Sequence, residues 1–194
     1  TIVQSAFEGC TGLTSMTFPA SVTKINNRAF WNCSSLSSVT LPEKLVELNG
    51  CAFGGTALTN ITIPATLKTV DTAYADGTYG HGPFYKCEKL ETVTFEEGMT
   101  AIPGFLMRDC AGLKTINWAS SITSIGTYAF NYCTGLEELV IPGEIATIGD
   151  NAFSYCAGLK NVVLQEGTTT IVQSAFEGCT GLTSMTFPAS VTKI

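Results

Sequence analysis

Charge is scarce in this chain and lopsided in sign: 13% of residues are charged, 16 acidic against 10 basic, for a formal charge of -6. The basic residues are scattered without a run, so the electrostatic footprint of a binder of DNA, RNA or anionic membrane is missing. Histidine is scarcer still, with His81 alone, and no Cys-x-x-Cys pair occurs, which leaves no converging ligand set for zinc. No Gly-x-Ser-x-Gly elbow stands anywhere to mark a nucleophile. No apolar run approaches the roughly 18 residues that span a bilayer, so no membrane insertion is expected within this segment. What the chain does have is 45% hydrophobic residues and 19 glycines among 194, the composition of a folded chain with apolar surface to bury.

That apolar surface is arranged periodically. Ile2, Phe7, Cys10, Leu13, Met16, Phe18 and Val22 form a pattern that restarts at Ile25, and its opening residue recurs at Leu48, Val70, Ile102, Ile125, Ile148, Ile171 and Ile194. In residue number the steps run 23, 23, 22, 32, 23, 23, 23 and then 23 again. A unit this short cannot bury its own apolar face and must lie against its neighbours. The spacing predicts one domain over residues 1–194, eight coils starting near residues 2, 25, 48, 70, 102, 125, 148 and 171, with an inserted loop at 71–83.

Within a coil, Leu13 to Phe18 alternates, with Met16 in, Thr17 out and Phe18 in, as a half-buried strand does. Proline follows at Pro19, Pro42, Pro64, Pro142 and Pro188, where a missing N–H suits a strand exit. A second short extended piece such as Ser21 to Ile25 leads to the next coil. Strands repeated in one direction pair in parallel at about 4.8 Å per coil, so eight coils stack to about 40 Å. Between strands the chain reads AFEGC, AFWNC, AFNYC or AFSYC, and there a single helical or 3₁₀ turn is expected, pinned to the core by its Phe. The predicted fold is a solenoid of stacked ~23-residue coils, with a parallel β-sheet on one face and short helical or 3₁₀ turns on the other.

The unit Ile125 to Pro142, IGTYAFNYCTGLEELVIP, resembles the BspA-like leucine-rich repeats, whose pattern is approximately I-x-x-x-A-F-x-x-C-x-x-L-x-x-[IV]-x-[LIF]-P. The resemblance covers the whole chain apart from the insertion. It departs at Met107 in the Phe position, at Thr56 in the Cys position, and at Glu96, Ala119 and Gln165 where Pro is expected. It implies a leucine-rich-repeat solenoid from a surface or secreted protein, with roles in adhesion to host matrix proteins among relatives. It carries over no catalytic residue, cofactor or metal.

Seven of the eight cysteines, Cys10, Cys33, Cys87, Cys110, Cys133, Cys156 and Cys179, hold one position in their coils. Stacked at about 4.8 Å they lie beyond the usual 3.5–4.5 Å between Cβ atoms of a disulfide, so a ladder of buried free thiols acting as small hydrophobes is expected, ahead of disulfides or metal. Cys51 lies off this ladder, either a reactive thiol or a small residue at a turn.

Two surfaces are candidates for binding. The insertion places Tyr74, Asp76, Tyr79 and His81 on a Gly-rich loop, a composition suited to recognition but equally to a tolerated surface insertion. His81 with Asp71 or Asp76 offers the outline of a general base, without a nucleophile motif beside it, and no catalysis is expected. The outward strand positions Thr17, Thr40, Thr62, Thr94, Asn117, Val140, Val163 and Thr186 should stack in one row, a solenoid's customary partner face or simply good exposed strand residues. The triplets at Asn32 and Asn60 match the N-glycosylation acceptor, which bears on a chain secreted by a eukaryote.

Thr1 to Ile25 recurs unchanged as Thr170 to Ile194, which reads as a slice of an array whose larger repeat runs from Thr1 to Thr169, or as one copied coil. The functional expectation is an extracellular or cell-surface recognition and adhesion module that binds a protein, host or matrix. The alternative is a structural spacer or self-assembling filament, copies stacking end to end.

Overall fold

The alternating segments do become strands. A computed structural model describes residues 1–72 and 80–194. In chain order the strands are β1 (Ser15–Thr17), β2 (Lys24–Ile25), β3 (Ser38–Thr40), β4 (Glu47–Leu48), β5 (Asn60–Ile63), β6 (Thr92–Phe95), β7 (Ala101–Ile102), β8 (Thr115–Asn117), β9 (Ser124–Ile125), β10 (Glu138–Ile141), β11 (Thr147–Ile148), β12 (Asn161–Leu164), β13 (Thr170–Ile171) and β14 (Ser184–Thr186). The strands of three or four residues build the front face of a parallel β-solenoid, and those of two residues build the back.

All pairing is parallel and follows the repeat. Met16 faces Val39, Val140 faces Val163, and Ile148 faces both Ile125 and Ile171. Where the insertion intervenes, Ile61 still faces Val93 and Thr62 faces Thr94, so the extra residues leave the front register intact. The front sheet runs as β1-β3, then β5-β6-β8, then β10-β12-β14, and the back as β2-β4 and β7-β9-β11-β13. Thr69 bridges back to Glu47 at the break in the back face, in the coil that carries the insertion.

Inside, the Phe of each turn meets the Phe of the next coil. Phe7–Phe30, Phe30–Phe53, Phe130–Phe153 and Phe153–Phe176 stack with centroids 5.0, 5.1, 5.0 and 5.5 Å apart. Parallel offset stacking is a favoured aromatic geometry, worth about 0.5–1.5 kcal/mol per pair beyond area burial. Met107 interrupts the column between Phe84 and Phe130 and is itself fully buried. Leu36, Leu58, Leu90, Leu113, Leu136 and Leu159 complete the seam.

The connection before each Cys departs from the expected helical or 3₁₀ turn, and no helix occurs among the described residues. In the second coil the amides of Ala29, Trp31 and Cys33 close turns onto Asn26, Arg28 and Phe30, while those of Arg28, Phe30 and Asn32 donate to Gly50, Ala52 and Gly54 of the next coil. Tyr128, Phe130 and Tyr132 do the same toward Asp150, Ala152 and Ser154. A helix would keep every amide within its own segment. Turning every second one outward requires left-handed backbone at two sites per turn: Arg28 and Asn32, Tyr128 and Tyr132, Asn151 and Tyr155 all have φ between 53° and 59°. Left-handed backbone costs a non-Gly residue about 1–2 kcal/mol, and here the bonds to the next coil hold it in place.

Phe130 stacks on Phe153 and meets Phe95 and Trp118 edge-on, so Phe130→Ala should lower stability by about 3–5 kcal/mol in urea unfolding. Phe176→Ala, at a half-buried site, should cost clearly less; equal losses would contradict the column.

Candidate functional site

The front row forms in pieces. Thr17 lies beside Thr40, and Thr62, Thr94 and Asn117 are register neighbours, as are Val140, Val163 and Thr186. Asn117 donates its side-chain N–H to Thr94 Oγ1 at 3.0 Å, and Ser184 Oγ donates to Asn161 Oδ1 at 2.7 Å. Beside the row, Lys114 pairs with Glu91 and Lys160 with Glu137, each at 2.6 Å. Such solvent-exposed pairs add little to stability. The sheet breaks divide the five candidates into Thr17–Thr40 on one patch and Thr62–Thr94–Asn117 on another.

Of the loop candidates, Tyr74, Asp76 and Tyr79 lie outside the described residues. His81 is anchored. Its ring lies on that of Tyr85 with centroids 3.5 Å apart and planes 3° from parallel, and its Nδ1 is 2.7 Å from Asp109 Oδ2. Asp109, one coil further on, is a partner that the local sequence around His81 does not suggest. Arg108 extends this anchor. Its Nη1 donates to the Gly80 carbonyl at 3.1 Å, and its guanidinium lies over Phe105 and Tyr128 at 5.8 and 5.6 Å. The end of the insertion is thus tied to the turn face of the following coil.

That turn face carries aromatics that the strand-centred sequence analysis missed. Trp31 and Tyr85 stack at 6.0 Å across Gly54, where the Trp31 ring occupies the space a Cβ would need. Phe105 and Tyr128 stack at 5.3 Å. Tyr132 and Tyr155 stack at 4.9 Å with 43% and 40% of their surface exposed. The Glu177 carboxylate, 3.2 Å from the Tyr155 hydroxyl, accepts its hydrogen bond and pushes that hydroxyl's pKa up. A shallow cleft of about 230 Å³ lies between Tyr85 and Tyr132, over Asp109 and Ala111. The signal was present in the sequence: aromatics recur at the two positions between Phe and Cys, as Trp31, Tyr85, Tyr132 and Tyr155.

The seven ladder cysteines are all free thiols. Cys33, Cys87, Cys110, Cys133 and Cys156 are buried, Cys179 is half-buried and Cys10 is exposed. They are more than small hydrophobes. Cys33 Sγ donates to the Phe7 carbonyl at 3.1 Å, Cys133 to Met107 at 3.1 Å, Cys156 to Phe130 at 3.1 Å and Cys179 to Phe153 at 3.2 Å. Each thiol thus ties its coil to the turn of the coil before. Thr56, in the Cys position, donates instead to its own Phe53 carbonyl at 2.8 Å. Cys51 is buried at one of the left-handed turn positions, with φ 56°. Burial, reinforced by the adjacent thiols, pushes Cys110 and Cys133 well above the ordinary thiol range.

Parallel coils stacked one repeat apart, with an aliphatic, phenylalanine and thiol seam, define a leucine-rich-repeat solenoid. The sequence matches the BspA type leucine-rich repeat region in six copies, over residues 1–76 and 77–194, and the chain belongs to that family. A leucine-rich cell surface protein of Faecalibacterium prausnitzii A2-165 is 27% identical, with a TM-score of 0.50. The match covers 93% of this chain and 61% of that one, so this chain spans under two thirds of that protein's length. A leucine-rich repeat protein of T. pallidum is 25% identical, with a TM-score of 0.57 over 84% of this chain and 70% of that one. No protein of curated function matches. No helix among the described residues is long and apolar enough to cross a membrane.

The buried thiols set an alkaline limit. Above pH 9, the ordinary thiol value, the unfolded chain sheds thiol protons that the folded chain keeps, so stability falls as pH rises. Each deeply buried thiol should cost on the order of 1 kcal/mol between pH 8 and 10. In urea titrations Cys133→Ala should lose about 1 kcal/mol less over that interval than the parent. An identical loss in both proteins would contradict the assignment.

Proposed function

We propose that this chain is a non-catalytic, extracellular recognition and adhesion module that binds a protein partner through its turn face, together with the adjoining 71–83 insertion. The observation that carries this is the stacked pair Tyr132–Tyr155, two large rings 4.9 Å apart and each about two-fifths exposed, beside the cleft that reaches Tyr85. Tyrosine supplies contact area with little side-chain entropy to lose, and coil-to-coil stacking already holds these rings in place. Arg28 over Trp31 and Lys86 over Tyr85, at 5.9 and 5.4 Å, add cationic groups to the same face. Aromatics with arginine are the side chains enriched at binding hot spots.

Several features support the rest of this assignment. His81 is taken up by Tyr85 and Asp109, a clamp that fits an anchor for the insertion better than a general base. The front rows of Thr17, Thr40, Thr62, Thr94 and Asn117 supply a polar flank for weak or multivalent contact. The name of the F. prausnitzii protein, a cell surface protein, favours an address outside the cell.

Binding of the chain to a panel of immobilised extracellular-matrix proteins, followed by surface plasmon resonance, tests this proposal. The double variant Tyr132→Ala/Tyr155→Ala should weaken binding at least tenfold, about 1.4 kcal/mol, with unchanged circular dichroism. Undiminished binding by the double variant, or no binding to any matrix protein, would count against it.

A further inference from the structure

The front sheet is split between β8 and β10, and we propose that the split is a seat for an extended peptide segment of a partner protein, inserted as an additional strand. This rests on the recognition function proposed above and adds a second site, on the front face, with the conformation of the ligand it would take.

The same two coils are joined elsewhere. At the turn, the amides of Phe105, Met107 and Asp109 donate to Thr127, Ala129 and Asn131 at 3.0, 2.8 and 2.8 Å. On the back, Ile102 pairs with Ile125. At the front, no pairing links β8 to β10, and no Cα of one comes within 8 Å of a Cα of the other. Paired strands lie about 4.8 Å apart, so one interposed strand needs about 9.6 Å. The gap is therefore wider than one spacing, and both its walls are strand edges; on the β10 wall the Val140 carbonyl is taken by the Trp118 indole, and the remaining gap-facing backbone groups meet no neighbouring strand.

Trp118 explains why the ladder fails here. In the interior coils the counterpart positions hold Leu41, Ile63, Phe95, Ile141 and Leu164, all buried. Trp118 is stacked on Phe95 at 6.2 Å and edge-on to Phe130 at 5.8 Å, and its indole N–H donates to the Val140 carbonyl at 3.0 Å. An indole stands where a ladder amide would reach Val140.

The opening is a cleft of about 380 Å³, with Ile116, Trp118 and Leu139 beneath and Lys114 and Glu138 at its rim. Ile116 and Trp118 are half-buried, whereas Val93 and Phe95 on the next strand are 0% and 3% exposed. Apolar surface is thus left open between two unpaired edges. Strand edges are read by a main chain, and alternate side chains of an added strand would point into the apolar floor. Rim charges of both signs favour a peptide of low net charge whose β-branched or aromatic residues alternate with polar ones.

The test pans a phage-displayed library of random dodecapeptides on the chain and measures selected peptides by fluorescence polarisation. Trp118→Leu installs the side chain found at Leu41 and Leu164 and should let the ladder close; Ile116→Lys charges the floor at a half-buried site. Alternating apolar peptides should be enriched, and both variants should weaken them at least tenfold. Hydrogen exchange of the free chain should be faster at Thr115–Asn117 and Glu138–Val140 than at Asn161–Val163, and bound peptide should slow it. No enrichment, undiminished affinity in either variant, slow exchange at the split in the free chain, or a polysaccharide competing for the cleft in place of peptides would overturn the proposal. A matrix protein still captured by both variants but lost by Tyr132→Ala/Tyr155→Ala would overturn the cleft while leaving the recognition function standing.

Discussion

The structure depends on one constraint: after each repeat of the sequence pattern the backbone must return to the same point in the cross-section, displaced by one strand spacing. Hydrogen bonds enforce this on each side wherever the sheets are unbroken. The front strands pair in register, the back strands pair in register, and alternate turn amides reach across to the next coil. Because equivalent atoms then fall in line, a side chain that suits one coil meets its own kind in the next. The phenylalanine column, the thiol-to-carbonyl bonds and the Lys–Glu pairs formed between successive coils are consequences of that alignment.

The corner before each Cys is where the geometry is most demanding. Left-handed backbone at non-glycine residues is unfavourable locally, and it persists because each such turn is bonded both within itself and to its neighbour. The same corner projects the side chain just before Cys away from the core, while Asn131 and Ser154 beside it stay buried. Tyr132 and Tyr155 occupy that position and stack outside the molecule as Phe130 and Phe153 stack inside it. Rigid core and proposed recognition surface are two sides of one turn.

Much of this was legible in the sequence. The repeat length, the alternation around Met16 and Val140, the burial of Phe30 and Phe153 and the parallel stacking all follow from periodicity, since apolar spacing reports directly on which side chains face inward. The turn conformation was not legible. A run such as AFNYC favours a helical turn by local propensity, and only the competing bonds to the next coil override it, a tertiary effect that local sequence does not encode. The partner of His81 was hidden for the same reason: Asp109 lies 28 residues away and is brought near by stacking. The thiols were seen as a ladder, but their donation to the Phe carbonyl of the preceding coil depends on an offset between coils that composition leaves open. The split at Trp118 could have been suspected from its size at a position otherwise held by Ile, Leu or Phe.

The proposed binding surfaces, the aromatic corner and the interrupted front sheet, are carried by a regular scaffold, and that scaffold is a consequence of register. Register is therefore the quantity to test. Removing residues 125–147 joins Ser124 to Ile148, the register partner of Ile125, and deletes one whole turn of the solenoid. Circular dichroism and urea unfolding of that chain should show a folded, cooperatively unfolding protein, whereas removing only 136–147 should abolish the transition. An unfolded chain after the whole-coil deletion, or equal tolerance of the partial one, would contradict the account.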